Sequence, residues 1–168
     1  YGENPHQKAS VYTSPLSIGG IVRADQLHGI ELSFNNILDA ESVWSAVSDF
    51  SESTAAIVKH TNTCGLSIHS DQPTAYLRAF EGDPVSAYGG VVGFNRIVMA
   101  ETAEAMKGVF YDIIVAPDYE SEALEMFRKR KQTRILRVSP ESGFLSKIDV
   151  RKVSGGAIIQ TSDTVDEN

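Results

Sequence analysis

Lysine and histidine stand side by side at Lys59-His60, directly after the apolar run Ala55-Ala56-Ile57-Val58. A short apolar run of this kind reads as a buried strand. The residues that follow, Thr61-Asn62-Thr63-Cys64-Gly65, are polar or small and read as a loop. A cation and an imidazole are therefore expected where a strand ends. In α/β folds ligands bind at that carboxyl edge. Histidine exchanges a proton near neutral pH, and lysine can hold a phosphate or meet a developing negative charge. The plain alternative is a hydrogen-bonded histidine beside a solvated lysine.

The other histidines, His6, His28 and His69, read as loop or surface hydrogen-bonding groups. Ser86 has no evident base and acid partner, so a serine nucleophile is a poor reading. Asp83 precedes Pro84 and reads as a turn residue rather than a catalyst.

The elements that must position Lys59-His60 follow from apolar spacing. Ile37, Ala40, Val43, Trp44, Val47 and Phe50 recur with helical period, which predicts an amphipathic helix over Asp39–Phe50 with Trp44 in the core. Asp71-Gln72-Pro73 resembles a helix start, leading into Thr74–Glu81. Gly82-Asp83-Pro84 ends that helix. Further helices are expected over Glu101–Lys107 and Glu120–Lys131. Strands are expected at Ala55–Lys59, Val91–Phe94, Ile97-Val98, Asp112–Ala116, Ile135–Val138 and Ala157–Gln160, with extended runs at Ala9–Thr13 and Gly20–Arg23. Strands alternating with helices imply an α/β layer whose sheet is at least partly parallel. The residues from 161 to 168 are polar, acidic and without period, and read as a tail or linker.

Composition sets outer limits. A chain of 168 residues fits one domain or a large part of one. At this length folding hides roughly 70% of the unfolded surface. The net charge of −7 argues against generic nucleic-acid binding, which needs clustered cations. The one basic run, Arg128-Lys129-Arg130-Lys131, suits a helix end. No apolar stretch approaches the ~20 residues of a membrane span. Cys64 is the single cysteine, which fits a cytoplasmic setting. The chain opens on Tyr1 rather than Met, so a preceding segment is expected.

Four segments stand in order along the chain: Tyr1-Gly2-Glu3-Asn4-Pro5-His6-Gln7, Leu32-Ser33-Phe34-Asn35-Asn36-Ile37-Leu38-Asp39-Ala40, Lys59 to Gly65, and Asp83-Pro84-Val85-Ser86-Ala87-Tyr88-Gly89-Gly90. Together they resemble the AICAR transformylase (phosphoribosylaminoimidazolecarboxamide formyltransferase) region of the bifunctional purine-biosynthesis enzymes that make IMP. The match runs over nearly the whole chain. It implies a layered α/β/α fold of cytidine-deaminase type with a mixed, partly parallel sheet. Residues 1–160 would be the first of two such subdomains. The second subdomain and an IMP cyclohydrolase domain would lie elsewhere, and homodimers are expected.

The resemblance implies that the amine of AICAR attacks the formyl group of 10-formyltetrahydrofolate, giving FAICAR and tetrahydrofolate. His60 matches the family's general base, and Lys59 matches its catalytic lysine. Tyr1 matches a tyrosine lining the nucleotide site; the family's phosphate-binding Arg just before it falls outside this sequence. Asn36 matches a nucleotide contact, Gly89 a glycine beside the base or carboxamide, and Asp112 an acidic position near the ribose. Little activity is expected of this region alone, because the family's site draws on the second subdomain and a dimer partner. A non-catalytic nucleotide-binding or scaffold module of the same fold is the alternative. One departure is Thr63, where the family has Pro. Zinc deaminase chemistry on a related fold needs a Cys-x-x-Cys pair and a His-x-Glu. The chain has neither, and no metal is expected.

Overall fold

Ser33 opens the first long helix. Its hydroxyl accepts from the Asn36 N–H at 3.2 Å, and the Asn36 carboxamide oxygen accepts from the Ser33 N–H at 3.0 Å. This reciprocal cap satisfies two orphan donors of the first turn. The helix therefore runs over Phe34–Ser48, beginning five residues before the expected Asp39 and ending two short of Phe50. Asn35 and Asn36 are weak helix formers, so the apolar period alone places the start too late.

The computed structural model describes residues 1–13, 15, 17–140, 142–143 and 148–163. Its strands are β1 (Ser17–Ile18), β2 (Asp25–His28), β3 (Thr54–Lys59), β4 (Asn62–Ile68), β5 (Val91–Phe94), β6 (Ile113–Ala116), β7 (Arg134–Arg137), β8 (Ser142–Gly143), β9 (Ile148–Val153) and β10 (Gly156–Thr161). The helices are α1 (Phe34–Ser48), α2 (Gln72–Gly82), α3 (Pro84–Ala87), α4 (Ala100–Ala105) and α5 (Ser121–Arg128). Six strands form one sheet in the order β2-β7-β6-β5-β3-β4. The pairs β5–β6 and β6–β7 are parallel, whereas β2, β3 and β4 meet their neighbours antiparallel.

Alternation along the strands builds two cores. Ala56, Val58, Val91, Ile113, Val115 and Leu136 pack on one face with Ala40, Val43, Trp44 and Val47 of α1. Ala55, Ile57, Val92, Phe94, Ile114 and Ile135 pack on the other with side chains of α2, α4 and α5. The result is the expected layered α/β/α arrangement around a mixed sheet. No helix among the described residues is long and apolar enough to cross a membrane.

Several local expectations are corrected. Asn62–Ile68, read as a loop at its start, is the edge strand β4. Its half-exposed apolar positions carry no clear alternation, and hairpin pairing with β3 sets it. Gly20–Arg23 is not extended: Ile21–Arg23 forms a 3-10 turn. Ala9–Thr13 joins no strand. Ile97-Val98 contributes one isolated bridge, Val98 to Tyr119. Gly82 does end α2, but Pro84 opens α3 at once, with Asp83 accepting from the Ser86 N–H at 2.9 Å. The polar tail begins after β10, at Ser162; residues 164–168 lie outside the described residues. β9 and β10 form a separate hairpin with Val150, Ile158 and Ile159 exposed.

Candidate active site at one edge of the sheet

The reversed direction of β3 decides the geometry. Its carboxyl end, with Lys59-His60, lies at the amino edge of β5, β6 and β7, since Val58 pairs with Val91 and Val91 with Ile113. The expectation of a carboxyl-edge site on parallel strands therefore inverts. Gly89 precedes β5, Asp112 precedes β6, and the chain after β2 returns to this same edge. Lys59, His60, Gly89 and Asp112 are thus gathered along one margin.

His60 and Thr61 form the two-residue turn of the β3–β4 hairpin, between the paired Lys59 and Asn62. Both have positive φ, 52° and 61°, the only non-glycine residues so placed among those described. A two-residue hairpin turn with both central residues left-handed matches the twist of its strands and is usually filled by Asn-Gly. A residue with a Cβ gives up roughly 1–2 kcal/mol in that conformation. The turn persists because its polar groups are held. The Asp39 carboxylate on α1 accepts from the Thr61 N–H at 2.7 Å and from the His60 N–H at 3.3 Å. The His60 carbonyl accepts from the Asn62 amide at 2.8 Å and the Thr61 hydroxyl at 2.7 Å. The imidazole is exposed and has no hydrogen-bond partner among the described residues.

Lys59 points its ammonium at the Tyr88 carbonyl, donating at 2.8 Å, which ties the cation to the turn before Gly89. Gly89 has φ 73°, and an added Cβ would meet nothing closer than a Phe110 ring carbon at 4.0 Å. The backbone conformation, not crowding, calls for glycine there. The Gly89 N–H donates to the Phe110 carbonyl at 2.8 Å, so it is not a free donor. Asp112 is half-buried, and its backbone joins the ladder to Gly90 and Arg134.

Three hollows lie along this margin. One of about 260 Å³ is lined by Glu3, Asn35, Leu38, Asp39, His60 and Thr61. One of about 220 Å³ includes Lys59, His60, Cys64, Asp83 and Ser86. His60 borders both. A third of about 620 Å³ joins Tyr1 with Gly29, Glu31, Ser33 and Arg134. The Arg134 guanidinium is buried and donates through Nε to the Glu31 carbonyl at 3.0 Å. Asn36 stands apart: it is buried in the α1 cap and lines none of these hollows, while its neighbour Asn35 does and donates to the Glu3 carbonyl at 3.2 Å. Sequence reasoning missed Asp39, Asn35 and Arg134. For Asp39 a signal existed, an acid in the second turn after a Ser cap, but nothing in sequence ties it to a loop 21 residues on. An open groove of about 490 Å³ between α4 and α5 carries Glu101, Glu104, Glu122 and Glu125 and touches none of the candidate residues.

The Cys64-Gly65 pair sits at an irregularity of the β3–β4 ladder. The register shifts so that Ile57 faces Gly65 and Val58 faces Thr63, leaving Cys64 as a bulged residue. Partial burial pushes its thiol above the usual range; the Asp83 carboxylate adds to this, and Lys59 opposes it. The reactive species is the thiolate. Asp83→Asn is therefore expected to speed alkylation of Cys64 by iodoacetamide at mildly alkaline pH, and Lys59→Met to slow it, as read by mass spectrometry over time. Equal rates in all three proteins would contradict this electrostatic reading. His28 and His69 are local hydrogen-bonding groups, His28 to the Arg130 carbonyl at 3.3 Å and His69 accepting from the Asp71 N–H at 3.0 Å. Among the described residues no group of three or more His, Cys, Asp or Glu is placed to hold a metal ion.

Comparison with known proteins places the chain in a family. A family model described as "AICARFT/IMPCHase bienzyme" matches residues 1–168. The chain is 48% identical over 166 residues to the bifunctional purine biosynthesis protein PurH of Thermoanaerobacter sp. (strain X514), covering 99% of this chain and 32% of that protein. Its counterpart in Dictyostelium discoideum is 47% identical over 170 residues, covering 98% of this chain and 31% of that protein. That of Aquifex aeolicus (strain VF5) is 47% identical over 166 residues, with 98% and 32% covered. The chain spans only that share of these relatives, and it belongs to the AICARFT/IMPCHase bienzyme family.

Proposed function

We propose that this chain carries part of a formyl-transfer site, in which the amine of AICAR takes the formyl group of 10-formyltetrahydrofolate during purine biosynthesis. The observation that carries the reading is His60, an exposed imidazole without a partner among the described residues, bordering two hollows at one sheet edge, with the Lys59 ammonium beside it. Nucleotide and formyl donor would meet at the imidazole, with the nucleotide reaching along the margin toward the hollow at Tyr1.

The amine is a weak nucleophile, because its electrons are drawn into an imidazole ring bearing a carboxamide. As the amine nitrogen bonds to the formyl carbon, His60 removes its proton. Negative charge gathers on the formyl oxygen, and Lys59 stabilises it. The bond from the formyl carbon to the folate nitrogen then breaks. The leaving nitrogen takes a proton, and the imidazole that received one can return it. Tyr1 and Asp112 would hold the nucleotide, Tyr1 by its ring and Asp112 by accepting from ribose hydroxyls. Gly89 would let the backbone approach the base. Asn36 serves as a helix cap, so its part would be to fix the start of α1 beside the site.

On this reading residues 1–160 form the first transformylase subdomain. A second subdomain, an IMP cyclohydrolase domain and a homodimer partner would complete the protein, and it would work in the cytoplasm. An amide NMR titration with AICAR tests the nucleotide half. Shifts clustered at Tyr1, Lys59, His60, Gly89 and Asp112 are expected. Shifts confined to the acidic α4–α5 groove would sink it, as would no shift at millimolar ligand in the complete protein with its second subdomain.

A further inference from the structure

The two strained residues of the β3–β4 turn are held from outside their own hairpin. Among the described residues one side chain does this for the N–H groups: Asp39, on the second turn of α1, 21 residues before His60. Its two carboxylate oxygens divide the work, Oδ2 facing the His60 N–H and Oδ1 the Thr61 N–H. α1 in turn is fixed on the sheet by Ala40, Val43, Trp44 and Val47. The next residue after Asp39 is therefore fully buried, which denies the carboxylate much freedom to move away. In a hairpin turn both central residues change together, and a turn that relaxed to negative φ would splay the strands. It would also swing the His60 Cα–Cβ bond to a new direction.

We propose that Asp39 is a positioning residue for His60: by gripping both N–H groups of the turn it holds the His60–Thr61 pair left-handed, and so aims the imidazole between the two hollows. The catalytic consequence rests on the formyl-transfer reading above; the grip itself does not. Asp39 also lines the hollow beside His60, so a direct role toward substrate is the competing explanation. The two are separable, because a positioning role can be replaced by making the turn content to be left-handed. Glycine adopts positive φ at no steric cost.

The test compares the intact protein with Asp39→Ala, Asp39→Asn and the double variant Asp39→Ala/Thr61→Gly. The readouts are formyl-transfer kinetics and the cross-strand NOE between the backbone amides of Lys59 and Asn62. Asp39→Ala is expected to weaken that NOE and lower kcat by about 10–10²-fold with a smaller change in KM for AICAR. Asp39→Asn keeps one good acceptor and should fall between. Adding Thr61→Gly should restore the NOE and most of kcat. A hairpin NOE unchanged in Asp39→Ala overturns the grip, whatever the activity. A double variant whose turn recovers while kcat stays low overturns the positioning role and makes Asp39 a direct substrate contact. Should His60→Asn prove fully active, the formyl-transfer reading falls instead, and the NOE series still decides whether Asp39 holds the turn. Melting curves for each variant identify any that fail to fold; Asp39→Asn, nearly isosteric, then carries the comparison.

Discussion

On the formyl-transfer reading, replacing His60 with asparagine in the complete protein, with its second subdomain present, is expected to slow formyl transfer to AICAR by about 10²–10⁴-fold while leaving the protein folded. Asparagine is the informative choice. His60 sits at φ 52°, and asparagine tolerates the left-handed region better than alanine does. The variant therefore keeps the turn and removes only the base. Alanine would confound lost chemistry with added strain. The imidazole is exposed and accepts or donates no hydrogen bond among the described residues, so melting temperature should hold or rise slightly. kcat at saturating AICAR and formyl donor is the deciding quantity. A variant retaining more than a small fraction of it would place the general base elsewhere and favour the non-catalytic alternative.

Gly65→Ala is expected to destabilise the fold by about 3 kcal/mol, at the upper end for overpacking. A Cβ on Gly65 would lie 1.9 Å from the Ala79 carbonyl oxygen and 2.9 Å from its carbon. Both are backbone atoms of α2, so no side-chain rotation relieves the clash. α2 would have to lift from β4, loosening Ala75, Tyr76 and Ala79 in the core beneath. For a chain this size the loss corresponds to a fall in Tm of roughly 6–12 °C. Gly156→Ala is the control: nothing lies within 4 Å of its Cβ, and its φ is not left-handed. Its Tm should stay near that of the parent. Equal melting of both variants would mean that the α2–β4 contact is not as close as described.

The secondary structure was legible where one period dominated. β3, β5 and β6 are short apolar runs, and α2 carries both its Asp71 cap and its first-turn Pro73, so their existence followed from residue order. β4 was hidden, because an edge strand need not alternate and its glycine serves a helix packed against it. Strand direction was hidden too. Nothing local in Ala55–Lys59 says that it runs against β5; that follows from the hairpin and its register. The Lys59-His60 pair was legible by type and position. The strain of its turn was not, because histidine and threonine are poor candidates for positive φ and the acid that holds them lies in another element. Asn36 illustrates the opposite limit. Its side chain has a local task, visible only once the helix start is known.

The antiparallel β3 has a consequence for how this protein can change over time. Because the candidate groups gather where β3 ends and β5 and β6 begin, a change of length at the far margin, such as in Asp49–Ser53, falls at the opposite end of β3 from the imidazole. The near margin has no such slack. A turn of two residues cannot shrink, and one inserted residue would break the pairing of Lys59 with Asn62. Variation in length is thereby steered to one side of the sheet, and variation at the candidate site is confined to exchange of one side chain for another.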